Sequence, residues 1–223
     1  MKKIIALLIV LASLTALVSC AKNEVDTVGD RFNASKPTKT VVYTAQKFGD
    51  IRLLGEYILT TGYIKGAVAS VYEATYDYMP SVEDGSGEII KRPVETEHEL
   101  LEYLEGYGVR ENGGAWDKEG ENFVSDVGPV SLNLSSKYIK TFTYENGKLR
   151  CVVAAKNTAE VLGQEADLPV DISIEVTDDG ASVTWVKISY TIPEDTEAEM
   201  PETLVTIEAF YTYDNEQFDI AVK

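Results

Sequence analysis

The stretch Ile139-Lys140-Thr141-Phe142-Thr143-Tyr144-Glu145-Asn146-Gly147-Lys148-Leu149-Arg150-Cys151-Val152-Val153 decides how this chain is read. Asn-Gly is a strong two-residue hairpin signal, because both central positions of the turn need positive φ. Pairing outward from Asn146-Gly147 sets Tyr144 opposite Leu149 and Phe142 opposite Cys151, while Glu145 meets Lys148 on the other face. One face comes out apolar, as a correct register requires. Asp179-Gly180 repeats the logic, pairing Val176 with Val183 and Ile174 with Trp185 and leaving Glu175 beside Thr184. Residues 204–213 read as a further strand, and residues 218–222 as one that turns back along it. The result is six strands at the spacing of an antiparallel meander, with the acidic loop 193–202 between the fourth and fifth.

Upstream the local signals are weaker. Residues 40–47 predict a first strand, with Val41, Val42 and Tyr43 supplying β propensity. Ile51, Leu54 and Ile58 fall on one helical face behind Asp50 as N-cap, which predicts a helix ending near Gly62. Residues 66–79 fit both periods. Alternation places Val68, Tyr72, Ala74, Tyr76 and Tyr78 on one face, and a helix would align Val68, Val71, Tyr72, Thr75 and Met79. Aromatic and β-branched content tips the balance to a strand. Residues 95–105 predict a helix, because Thr96 and Glu99 have capping-box spacing and Leu100, Leu101 and Leu104 form a stripe before a stop at Gly106 or Gly108. Residues 111–126 read as a Gly-rich acidic loop. The expected class is α+β: an antiparallel sheet of six to eight strands with one or two helices packed on one face.

The N-terminus carries an address. Lys2 and Lys3 precede an uncharged run over 4–18 that is polar only at Ser13 and Thr15. That run is short of the ~20 apolar residues needed to span a bilayer, and it fits the apolar region of an export signal. Leu17-Val18-Ser19-Cys20 resembles the lipobox of bacterial lipoproteins. The resemblance covers about the first twenty residues and implies removal of residues 1–19, with lipid attached to Cys20. Two or three acyl chains anchor stably where one does not. With Ala21 rather than aspartate after Cys20, the same resemblance implies the outer membrane in bacteria that have two. Residues 20–39 are then expected to be the lipidated cysteine and a flexible tether, reaching ~20–25 Å. Residues 40–223 are expected to form a single globular domain.

Composition narrows the chemistry. Without residues 1–19, 37 acids face 18 bases, a net charge of −19. A charge of that sign disfavours nucleic acid, whose phosphates require a basic footprint. With Cys20 lipidated, Cys151 is the remaining thiol, so stability must come from a packed core. The hairpin register points Cys151 into the apolar face, as a structural thiol and not a nucleophile. His98 is the single histidine and reads as a solvated residue of the predicted 95–105 helix. Residues 117–122, Asp-Lys-Glu-Gly-Glu-Asn, are rich in oxygen donors but depart from EF-hand spacing. Phosphate-cradling glycine motifs and a Cys/His zinc set are missing from the sequence. Thirteen tyrosines and two tryptophans suggest a binding surface or ordinary sheet packing.

The expectation is therefore a non-catalytic envelope lipoprotein. Its partners would be the membrane, through Cys20, and a protein or apolar ligand, with no cofactor, metal or catalytic residue. The alternative is a carrier that encloses a lipid or other apolar molecule between sheet and helix.

Overall fold

The structure, a computed structural model, describes residues 24–48, 54–65, 68–79, 92–120, 130–197, 200–213 and 220. In chain order the elements are α1 (24–34), β1 (Lys39–Phe48), β2 (Leu54–Lys65), β3 (Val68–Met79), β4 (Arg92–Leu104) and β5 (Gly108–Glu111). There follow β6 (Ile139–Glu145), β7 (Lys148–Val153), a 3₁₀ turn (Ala155–Asn157), α2 (Thr158–Leu162), β8 (Ile172–Asp178), β9 (Val183–Ile192) and β10 (Thr203–Thr212). The protein is β-rich, and the ten strands among the described residues exceed the six to eight expected. Their paired neighbours run antiparallel.

The chain divides into two compact units. The first combines residues up to 35 with 131–183, and the second combines 36–130 with 184–223.

In the first unit, β6, β7 and β8 are neighbours in that order. Asn146 (φ 53°) and Gly147 (φ 74°) both adopt positive φ, as a two-residue hairpin turn requires. Phe142 pairs with Cys151, Tyr144 with Leu149 and Glu145 with Lys148, the register expected from the sequence. Cys151 pairs onward with Ile174, and Leu149 with Val176. The inward side chains Leu149, Val153, Ile172, Ile174 and Val176 are fully buried, each worth about 1.5–3 kcal/mol of apolar burial. The next turn differs from expectation. Asp179 N–H donates to the Ser182 carbonyl at 3.1 Å, so Gly180 and Ala181 occupy its centre instead of Asp179-Gly180. The Asp179 carboxylate accepts the Ala181 and Ser182 N–H groups, both at 2.8 Å, and holds the wider loop.

Within the 20–39 stretch expected to be a flexible tether, residues 24–34 form helix α1. Val25, Val28 and Phe32 recur at i, i+3 and i+7 and are all buried, the stripe of an amphipathic helix. Gly29 lies against Leu134 so closely that a Cβ built there would stand 2.1 Å from the Leu134 carbonyl oxygen. The Asp26 carboxylate accepts from Ser136 N–H (2.8 Å), Ser136 Oγ (2.8 Å) and Ser135 Oγ (3.2 Å). Arg31 forms an ion pair with the buried carboxylate of Asp178, which also accepts the Gly180 N–H.

The second unit orders its strands β5-β4-β3-β2-β1-β10-β9. Residues 40–47 lie in β1, 68–79 form β3 as the strand reading of that stretch expects, and 204–213 largely coincides with β10. Where they are described, both helices expected here are strands. Asp50, the supposed N-cap, lies outside the described residues. Ile58 pairs instead with Thr44 on one side and Thr75 on the other. The 95–105 segment is most of β4, paired with β3 from Val68↔Leu104 to Met79↔Arg92. The register shifts between Thr75 and Tyr76. This bulge breaks the two-residue period at Thr96, while Leu100, Leu101 and Leu104 are placed by their β3 partners Tyr72, Val71 and Val68. The strand expected at 218–222 lies outside the described residues except for Ile220.

Gly29→Ala tests how α1 is seated. Helix propensity alone favours alanine by about 1 kcal/mol, but the Leu134 carbonyl leaves no room for a methyl group. We expect net destabilisation of the first unit, seen in urea denaturation followed by circular dichroism or by amide exchange of β7. A stabilised variant would contradict the packing.

Candidate functional site

Alternation along the strands of the second unit sorts side chains onto two faces of different chemistry. One face is largely aliphatic: Val186, Ile188, Val205 and Ala209 are buried on it. Tyr211 joins them, its hydroxyl accepting the Val130 N–H at 3.2 Å, and burial pushes its phenol upward in pKa.

The opposite face is aromatic and charged. Trp185 pairs with Phe210 and Phe210 with Val41, while Glu208 lies between Lys187 and Tyr43. The Tyr43 and Phe210 rings meet edge to face with centroids 6.1 Å apart, yet remain 40% and 42% exposed. Lys187 and Glu208 form an ion pair beside them. Farther along, the Lys39 ammonium stands 5.0 Å from the centre of the Tyr63 ring. Tyr72 stacks on His98 at 6.0 Å. Glu95 accepts the Tyr76 hydroxyl at 3.1 Å and pairs with His98 Nδ1 at 2.9 Å. Partial desolvation, reinforced by Glu95, raises the pKa of the Tyr72 phenol. Toward the β4–β5 edge, Glu102 holds Arg110 at 2.6 Å, and the guanidinium lies 4.6 Å from the centre of the Trp116 ring. Trp116 is in turn 5.8 Å from Tyr107. Its Nε1 is buried without a hydrogen-bond partner among the described residues.

Such a face can bind without performing chemistry. Rings supply apolar contact area with polar tips. Lys187–Glu208 and Arg110–Glu102 supply donors and acceptors whose charges largely offset within each pair, and His98–Glu95 adds a further hydrogen bond. That combination suits a partner with an apolar patch and a polar rim.

The residues singled out from the sequence fall elsewhere or play other parts. Cys20 lies outside the described residues. His98 sits on β4, not on a helix, with its side chain 56% exposed. Cys151 is 4% exposed in the first unit, and burial raises its thiol pKa to about 12, so it stays protonated near neutrality. Of the oxygen-rich 117–122 segment, Asp117 Oδ1 accepts the Glu119 N–H at 2.9 Å, and residues 121–122 lie outside the described residues. Among the described residues, no three His, Cys, Asp or Glu side chains gather where a metal could be held. An open concavity of about 300 Å³ over β6–β8 is lined by Thr141, Thr143, Arg150, Val152, Ser173 and Glu175 among others. Burial of Glu175 opposes ionisation, but hydrogen bonds from Lys148 and Arg150 outweigh it and hold the carboxyl below its usual range.

No protein-family model matches the chain, and none of the curated proteins does. Among solved structures it is similar to the crystal structure of the bifunctional dehydratase-cyclase domain in ambruticin biosynthesis. The two are 11% identical over 89% of this chain and 81% of that one, with a TM-score of 0.17. A score that low supports neither a shared fold nor a shared activity.

The Cys151 environment generates a direct test. In native protein a thiol reagent should react with Cys151 slower than in denaturant by on the order of a hundredfold or more. Equal rates would refute the burial and reopen a reactive role.

Proposed function

We propose that this protein is a cell-envelope lipoprotein, anchored through Cys20, whose body is a non-catalytic binding module. The observation that carries the reading is the exposed Tyr43–Phe210 pair beside Trp185 on the sheet of the second unit. Monomeric domains rarely leave aromatic area open without use, and interface centres are enriched in such residues. The partner it suits is a protein or other ligand presenting an apolar surface.

Two further observations support a module over a carrier. The inward face of β6–β8 is filled by large side chains at full burial, whereas a carrier needs an unfilled apolar interior. Helix α1 buries Val25, Val28 and Phe32 within the same unit, so its apolar stripe is filled as well. The lipobox supports the anchor, and Ala21 after Cys20 favours the outer membrane where there are two.

The anchor and the face are tested separately. Cys20→Ser should leave the protein without acyl mass and released from membranes, or uncleaved. A wild-type mature chain with no acyl mass would sink the lipoprotein reading. For the face, a photo-crosslinking amino acid at position 210 should yield a discrete, saturable adduct in intact cells, weakened by Tyr43→Ala and missing when the probe stands at exposed Glu145. Equal labelling at 210 and 145 would refute the binding face, as would a lipid bound stoichiometrically and released only on unfolding.

A further inference from the structure

We infer that the first unit rests directly on the lipid headgroups, with one particular end turned toward the bilayer. The inference depends on the lipid-anchor reading above and goes beyond it by naming the surface that meets the membrane.

The argument begins with a count. Helix α1 is in place by residue 24, and only Ala21, Lys22 and Asn23 separate Glu24 from Cys20. Four Cα steps span at most about 14 Å, whatever their conformation. The acyl-bearing residue is thus held close to the start of a helix that belongs to the folded unit.

The direction of α1 follows from its contacts. Asp26 is bound by Ser135 and Ser136, just before β6 begins at Ile139. Arg31, farther along the helix, reaches Asp178 at the end of β8. Ile139 pairs with Val153, and Val153 with Ile172, so these three residues mark one end of the sheet. The other end carries the Asn146-Gly147 turn, where the Gly147 carbonyl accepts the Asp178 N–H at 2.8 Å. The helix therefore starts at the Ile139 end and points toward the Asp178 end.

Near the helix start, exposed Lys137 places its ammonium 4.4 Å from the centre of the Tyr138 ring, and exposed Lys156 closes the 3₁₀ turn. Tyrosine and lysine both favour the headgroup zone, where an apolar body and a polar tip are solvated together. The same end also carries acids: the Tyr138 hydroxyl donates to Glu160 at 3.2 Å and Asp171 pairs with Lys140, so net charge does not separate it from the far end, where Asp178 is buried against Arg31. Chain length and the direction of α1 decide which end faces the lipid, and the Lys137–Tyr138 pair lies at that end.

The experiment uses the full acylated protein in phosphatidylcholine vesicles containing a headgroup-labelled quencher. A fluorophore is attached at Lys137→Cys or, in a separate preparation, at Glu145→Cys, with Cys20 blocked by its acyl chain and Cys151 buried. Quenching should be several-fold stronger at 137 than at 145. Twenty glycine and serine residues inserted between Asn23 and Glu24 should abolish the difference. Equal quenching at both positions in acylated, vesicle-bound protein would overturn the inference, as would a difference that survives the insertion. Intact mass and vesicle flotation come first. Without acyl mass, the anchor reading and this inference fall together; with acyl mass but no gradient, only this inference falls.

Discussion

The positive φ angles at Asn146 and Gly147 hold the β6–β7 ladder in one register, and the first unit depends on that register. A slip of one residue would turn Leu149, Cys151 and Val153 to solvent and drive Lys148 and Arg150 inward. Two cross-strand rows follow from it, Tyr144–Leu149–Val176 and Phe142–Cys151–Ile174, and a register shift between Ile139 and Thr141 sets a third, Ile139–Val153–Ile172. Outside, the same register brings Arg150 beside Glu175, where their contact at 3.1 Å orders a solvated face and contributes little to stability. Apolar rows inside and neutralised pairs outside are one consequence of a two-residue turn.

How much of this was legible depends on how local each signal was. The β6–β7 register could be read because its turn chemistry and alternation lie within fifteen consecutive residues. β4 could not, because the bulge at Thr96 changes its phase, and the leucines that mimic a helical stripe are placed by partners on β3. Helix α1 was hidden for a different reason. Glu24, Asp26, Asp30 and Arg31 make its sequence look solvated, and Val25, Val28 and Phe32 alone resemble chance. The helix becomes legible only with the segments around Leu134, Ser136 and Asp178. The candidate face was legible as an abundance of tyrosine but not as a place, since Tyr43 and Phe210 meet through pairing of β1 with β10.

The two faces of the second unit's sheet show how a strongly acidic chain can still present a binding surface. Of the cations on the aromatic face, Lys187 and Arg110 each stand against a glutamate, and Lys39 stands over a tyrosine ring. Exposed ring edges there are set among offset charges, not within an open field of carboxylates. Net charge keeps such a domain soluble and sets long-range attraction, while contact at this face would be governed by ring area and by hydrogen bonds at its rim.

The first unit is also discontinuous along the chain. Residues 24–34 share it with residues 131–183, and nearly a hundred residues of another unit lie between. A chain emerging N-terminus first exposes Val25, Val28 and Phe32 long before Leu134, Ser136 and Asp178 follow. Contacts that span so much sequence are slow to form, because the loop must close before they can contribute. During synthesis or export, α1 is thus an unprotected apolar segment in search of partners, open to capture by chaperones until β8 has emerged. Maturation of the first unit is in this way timed by the arrival of its last strand.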